Sequence, residues 1–178
     1  MISGRAKGIQ IEAPKGENTR PTTDRVKESL FNIINHLLKN AVVLDLFSGS
    51  GSLGIEALSR GASRSYMCDQ NSKAVSTIKK NIAHCGLEEG AEVFCCDYKQ
   101  ALKKLEGEQM TLIFLDPPYG KGLLQDAIAK IFDGNMLTDD GIIVAEHPRN
   151  EELAYPGVVR TEKYGDICIS FLKKVVSN

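Results

Sequence analysis

Asp116-Pro117-Pro118-Tyr119 closes the apolar run Thr111-Leu112-Ile113-Phe114-Leu115. A run of that composition reads as a strand, and open α/β sheets place their ligands at strand ends. An ionised Asp accepts hydrogen bonds and donates none, so Asp116 suits an NH2 group whose nitrogen must be held in one orientation. Proline has no N–H and a fixed φ, which lets the carbonyls of Asp116 and Pro117 point outward at little entropic cost. Tyr119 adds a face on which a flat ring can stack. The same four residues also read as an Asp-Pro turn with a surface tyrosine, and on their own they do not choose between the two.

A second constellation lies upstream, where Val42-Val43-Leu44-Asp45 runs into Leu46-Phe47-Ser48-Gly49-Ser50-Gly51 and Gly54 completes G-x-G-x-x-G. The glycines follow a strand and open a helix, and an acid, Asp69, closes the next apolar segment, Ser65 to Cys68, where it can accept ribose hydroxyls. Asp45 argues against a dinucleotide, because its carboxylate would repel a pyrophosphate approaching the helix N-terminus. A cationic ligand is favoured instead. S-adenosylmethionine carries a sulfonium, an ammonium and a ribose, and fits this spacing better than NAD. A third apolar segment, Glu92 to Cys96, ends in Asp97, which either accepts an adenine amino group or caps the following helix.

The elements that must position these groups alternate. Apolar residues recur at helical spacing from Thr23 to Lys39, with Asp24 in the first turn complementing the helix dipole. A second helix is predicted from about Ser72 to Cys85 with Gly86 as its stop, and a third from about Leu123 to Phe132. Ile142 to Ala145 reads as a strand, and Val158 to Lys163 with Ile167 to Lys173 as a closing strand pair. Strands alternating with helices predict an α/β fold, a mostly parallel, doubly wound sheet with an antiparallel C-terminal strand. Residues 1–13 are expected to form a small hairpin, since Ile9 and Ile11 alternate with polar neighbours. The predicted organisation is an N-terminal basic arm or hairpin over 1–20 and one domain over 21–178, with the arm too short to hold a core of its own and dispensable for folding.

At 178 residues and 42% hydrophobic content, the chain suits one compact domain. No stretch reaches the roughly 18 apolar residues of a bilayer span, and the first residues lead into no signal-peptide core, so a cytoplasmic protein with no membrane partner is expected. Five cysteines lack C-x-x-C spacing and read as reduced core residues; the three histidines, His36, His84 and His147, are scattered, and no metal site is expected. The formal net charge is only −1, yet residues 1–27 hold six Lys and Arg against three acids. A basic arm of this kind can contact phosphates, or it can be a solvated terminus.

Taken in order, Asp-Leu-Phe-Ser-Gly-Ser-Gly at 45 to 51, Asp69, Asp97 and Asp-Pro-Pro-Tyr at 116 to 119 resemble the motifs of Rossmann-like methyltransferases that act on exocyclic amines. The segment from Arg20 to Asn32, with Ser3 to Gly8 and Leu58 to Ala62, resembles more narrowly the bacterial 16S ribosomal RNA guanine-N2 methyltransferases of the small subunit. That resemblance spans nearly the whole chain. It implies an S-adenosylmethionine-dependent enzyme that methylates the N2 amine of a guanine in 16S ribosomal RNA, within the small ribosomal subunit or an assembly intermediate, and works as a monomer. It implies Asp116, Pro117, Pro118 and Tyr119 as catalytic residues. Asp45, Phe47, Gly49, Ser50, Gly51, Asp69, Asp97, Tyr98 and Thr22 would hold the cofactor, and Arg5, Lys7, Lys15, Arg20 and Arg25 would contact RNA. The alternatives are an adenine-N6 or cytosine-N4 methyltransferase on RNA or DNA, and a non-catalytic cofactor-binding assembly factor. The second would have no need of the Asp116 carboxylate.

Overall fold

The computed structural model describes residues 1–13 and 23–175. Its strands are β1 (Val42–Asp45), β2 (Arg64–Asp69), β3 (Ala91–Cys95), β4 (Met110–Leu115), β5 (Leu137–Pro148), β6 (Val158–Tyr164) and β7 (Ile167–Leu172). Its α-helices are α1 (Asp24–Ile34), α2 (Ser52–Ser59), α3 (Ser72–Cys85), α4 (Tyr98–Lys104) and α5 (Leu123–Asp133). All seven strands form one sheet in the order β3-β2-β1-β4-β5-β7-β6, with β7 antiparallel to both of its neighbours and the remaining pairs parallel. The predicted architecture is therefore present, with β7 as the antiparallel C-terminal strand.

Period-two alternation divides each strand between two cores. On β4, Leu112 and Phe114 face one layer and Ile113 and Leu115 the other. The first layer is α1, α2 and α3, carrying Leu30, Phe31, Ile55 and Ile78; the second is α4 and α5, carrying Leu102, Ile128 and Ile131. Fully buried side chains of this size contribute about 1.5–3 kcal/mol each. Phe31 packs on Phe114 with ring centroids 5.8 Å apart, tying α1 to the middle of the sheet.

Helix α3 spans the predicted residues, from an Asn71 side-chain cap to Gly86. The first helix is shorter than predicted: α1 ends at Ile34, a single 3-10 turn covers Asn35–Leu37, and Asn40 adopts φ +60°. Leu37 and Leu38 keep the apolar pattern while the backbone has already turned toward β1. Of the cysteines, Cys95 is exposed rather than a core residue, because β3 is the sheet edge and alternation turns that position outward. No described helix is long and apolar enough to cross a membrane.

Among residues 1–13 the expected hairpin strands are replaced by turns. The chain does fold back, with Gly8 N–H bonded to the Met1 carbonyl at 3.0 Å and the Met1 amino group to the Ile9 carbonyl. Its remaining donors go to α2 rather than to a strand partner. Ile2 and Ser3 N–H donate to Glu56 at 2.9 and 3.0 Å, Arg5 N–H to the Ser59 carbonyl at 2.8 Å, and Ala6 N–H to the Ser59 hydroxyl at 2.9 Å. Gly4 is required there, since a Cβ would lie 1.8 Å from the Ser59 carbonyl oxygen. The arm is thus a built part of the domain, and its expected dispensability for folding does not fit this docking. Glu56 is fully buried and also meets Arg60 Nε at 2.8 Å and Lys27 Nζ at 3.9 Å, so one carboxylate joins the arm, α1 and α2.

Candidate active site

Strand β1 lies between β2 and β4; the chain leaves β1 for α2 on one face and leaves β4 for α5 on the other. Such a reversal opens a crevice at the carboxyl ends of the strands. Asp45, Asp69, Asp97 and Asp116 all stand at that rim, one at or just beyond the end of each of β1, β2, β3 and β4.

The loop after β1 is fastened from several directions. Asp69 Oδ2 accepts Gly49 N–H at 3.0 Å and its Oδ1 accepts Asn71 N–H at 2.8 Å. Ser48 Oγ donates to the Asp45 carbonyl at 2.7 Å and accepts Cys68 N–H at 3.1 Å. Asn81 Nδ2 donates to the Ser50 carbonyl at 2.9 Å and to the Glu12 carbonyl at 2.9 Å, while its Oδ1 accepts Glu12 N–H at 2.8 Å. One buried amide therefore holds the glycine loop and the end of the arm together. Gly54 serves helix–strand packing, because a Cβ there would lie 2.7 Å from Met67 and 2.8 Å from Ser65.

Asp45 is 2% exposed and accepts Gly54 N–H at 3.1 Å. Burial pushes its carboxyl up to about 7, opposed by the Gly54 bond and reinforced by Asp69. Asp97 Oδ1 accepts Gln100 N–H at 2.9 Å, so the cap reading of that residue is realised at the start of α4. Phe47 and Tyr98 face each other across 5.5 Å, and the Tyr98 hydroxyl donates to Asp126 on α5 at 2.5 Å. These rings form an apolar wall beside Asp97.

Beyond β4, Asp116 is partly exposed, Pro117 buried, and Pro118 and Tyr119 exposed. Burial, then Glu146, then Asp45 push the Asp116 carboxyl up to about 8. Glu146 was not foreseen. It belongs to β5, and since Leu115 pairs with Ala145, Glu146 stands level with Asp116 on the neighbouring strand. The available signal was the first polar residue after the run Ile142 to Ala145, which matches Asp116 after Leu115, but the pairing of β4 with β5 was needed to use it. Tyr119 donates its hydroxyl to Glu146 Oε1 at 2.9 Å. Next to it, buried His147 braces the strand: Nδ1 faces the Glu151 and Pro148 carbonyls at 2.8 and 3.1 Å, so it carries the proton, and Nε2 meets the Ser170 hydroxyl at 2.9 Å.

Arg5 and Lys7 are exposed on the docked arm and Arg25 on α1; Lys15, Arg20 and Thr22 lie outside the described residues. No group of three or more His, Cys, Asp or Glu suited to a metal occurs among the described residues. A rim of buried and half-buried carboxylates with an aromatic wall fits a cation-bearing nucleoside and disfavours a pyrophosphate.

The family model described as "Conserved hypothetical protein 95" matches residues 1–173. A Bacillus subtilis protein named provisionally as an rRNA methyltransferase is 42% identical over 98% of this chain and 98% of its own. The Escherichia coli ribosomal RNA small subunit methyltransferase D is 34% identical over 82% of this chain and 73% of its own. Among solved structures, an Escherichia coli protein described provisionally as a methyltransferase superposes with a TM-score of 0.87 at 31% identity, covering 98% of this chain and 96% of that one. An RNA methyltransferase from Salinibacter ruber, solved with S-adenosylhomocysteine, shares the fold at a TM-score of 0.69 and 18% identity, over 89% of this chain and 97% of that one.

Proposed function

The chain belongs to the ribosomal RNA small subunit methyltransferase D family, and from that membership we propose that it methylates the N2 amine of a guanine in 16S ribosomal RNA, using S-adenosylmethionine. The observation that carries this is the Asp116-Pro117-Pro118-Tyr119 turn at the crevice, one strand away from the loop held by Asp69. S-adenosylmethionine supplies an electrophilic methyl group on a sulfonium. Asp69 would hold the ribose hydroxyls, Phe47, Asp97 and Tyr98 the adenine end, and the backbone of Gly49, Ser50 and Gly51 would line the approach. Thr22 is proposed to border this side, and Asp45 supplies negative field.

The chain's other task is to present the amine. Its lone pair is delocalised into the purine ring, so Asp116 and the Pro117 carbonyl accept its protons, raise its electron density and fix its direction. Alignment of this kind is worth roughly 7–11 kcal/mol of barrier in the best intramolecular models. Asp116 takes up the proton lost once the nitrogen is alkylated, and a carboxyl poised near 8 suits that task near neutral pH. The base must leave its stack to reach the turn, and stacking on Tyr119 returns about 1–3 kcal/mol. Arg5, Lys7, Lys15, Arg20 and Arg25 are proposed to contact phosphates of the substrate.

The test is incubation with labelled S-adenosylmethionine and, separately, naked 16S RNA, small subunits and DNA, followed by nucleoside analysis. N2-methylguanosine from 16S RNA or small subunits is expected. N6-methyladenosine or N4-methylcytidine as the product would overturn the assignment, and absence of any methylated nucleoside would favour the non-catalytic reading.

A further inference from the structure

Two carboxylates stand level on adjacent strands at the target side of the crevice, one more than orienting an amine requires. Leu115 and Ala145 pair in register and both face the α4–α5 layer, so the next residues, Asp116 and Glu146, turn to the opposite face together. There they border one small cleft together with Leu30, Leu53, Leu115, Val144 and Ile169. Tyr119 reaches over to Glu146 and closes the outer edge.

The edges of the candidate bases differ at the atom beside the amine. In guanine the neighbour of the N2 amine is N1–H, a donor. In adenine the neighbour of N6 is the lone pair of N1, and in cytosine the neighbour of N4 is the lone pair of N3. An ionised carboxylate only accepts, and it has about four acceptor positions, so it can hold the Tyr119 hydroxyl and an incoming N–H together. Resting on the guanine reading above, we infer that Glu146 is a specificity-determining residue that accepts the N1–H of the target guanine while Asp116 accepts from its N2 amine. A lone pair set against the same carboxylate would be repelled, which rejects adenine and cytosine by chemistry rather than by size.

The probe is RNA carrying guanine or 2-aminopurine at the methylated position. 2-Aminopurine keeps the N2 amine, replaces N1–H with a lone pair and lacks O6, a loss that is the same for wild type and variants. Wild-type protein is expected to prefer guanine by roughly tenfold to a hundredfold or more in kcat/KM, the scale on which a site built for a hydrogen bond rejects the analogue lacking it. Glu146→Gln offers an amide N–H to that lone pair and should bring the ratio close to one or below; Glu146→Ala should also collapse it, with both variants binding S-adenosylmethionine as the wild type does. Because each ratio compares two substrates on one preparation, loss of folded protein does not alter it. A ratio unchanged in both variants overturns the assignment even if the overall rate falls, since a merely structural Glu146 would slow both substrates alike. A wild-type ratio near one overturns it too. If wild-type protein forms no N2-methylguanosine, the guanine reading itself fails and this inference falls with it.

Discussion

At the scale of single residues, two carboxyls at the crevice titrate far above an ordinary aspartate, Asp45 near 7 and Asp116 near 8, with burial as the leading cause. Both take up protons more readily folded than unfolded. Their contribution to stability is therefore full below about pH 4 and is lost as pH rises through about 7 to 8. The ligand-free protein should melt at a lower temperature at about pH 8.5 than at about pH 6, and Asp116→Asn should flatten that slope. A cationic cofactor reverses the preference of both groups, so its binding near pH 7.5 should release protons, seen as a calorimetric enthalpy that changes with the buffer's own ionisation heat. Identical enthalpies in buffers of differing ionisation heat would remove these two groups from the ligand's field. Asp116→Ala is expected to keep cofactor affinity within a few-fold and lower single-turnover methylation by orders of magnitude, with Asp116→Asn between it and the wild type. The place of Asp116 at a strand end was legible in the sequence because an apolar run ends on it beside two prolines. The place of Glu146 level with it was not, because that depends on which strand lies next to β4.

At the scale of elements, the arm, α1 and α2 meet at Glu56, a carboxylate with no solvent contact. Removing it strands Arg60 and the two backbone N–H groups of Ile2 and Ser3 and leaves Lys27 with only the exposed Asp24. Glu56→Ala should cost about 3–5 kcal/mol, the range for breaking a buried ion pair from one side, read as a shift in urea midpoint. Deletion of residues 1–13 should destabilise the domain through the same groups, whereas a detached tail would leave the midpoint where it was. Asn81→Ala separates two roles of the arm: it frees both Glu12 and the Ser50 carbonyl, so cofactor affinity should weaken although Asn81 touches neither Asp69 nor Asp116. The α3 boundaries could be read from periodicity and a terminal glycine. The arm's docking could not, since Gly4, Ser59 and Glu56 are far apart in sequence and meet only after α2 has formed.

At the scale of the whole molecule, the alternation of helices and strands was enough to expect a parallel, doubly wound sheet. It could not give the order of the last three strands, because Val158 to Tyr164 and Ile167 to Leu172 look alike as strand sequences and only pairing decides which is inner. The answer is that β7 slides between β5 and β6. This has a consequence for the order in which the protein comes into being on the ribosome. Strands β1, β2 and β3, which lead to Asp45, Asp69 and Asp97, are synthesised early and neighbour one another, while β7, which supplies Ile169 to the cleft beside Asp116, follows the other six strands. Until then the long apolar flank of β5 is an open edge, the kind of surface that recruits other chains. A chain stopped after Gly157 should accordingly scatter light and pellet, and one extended through Leu172 should not. The half of the crevice proposed to receive S-adenosylmethionine can form before β7 is made, whereas the half proposed to hold a base waits for β7, so a nascent chain has no complete place for a substrate until that strand has been made.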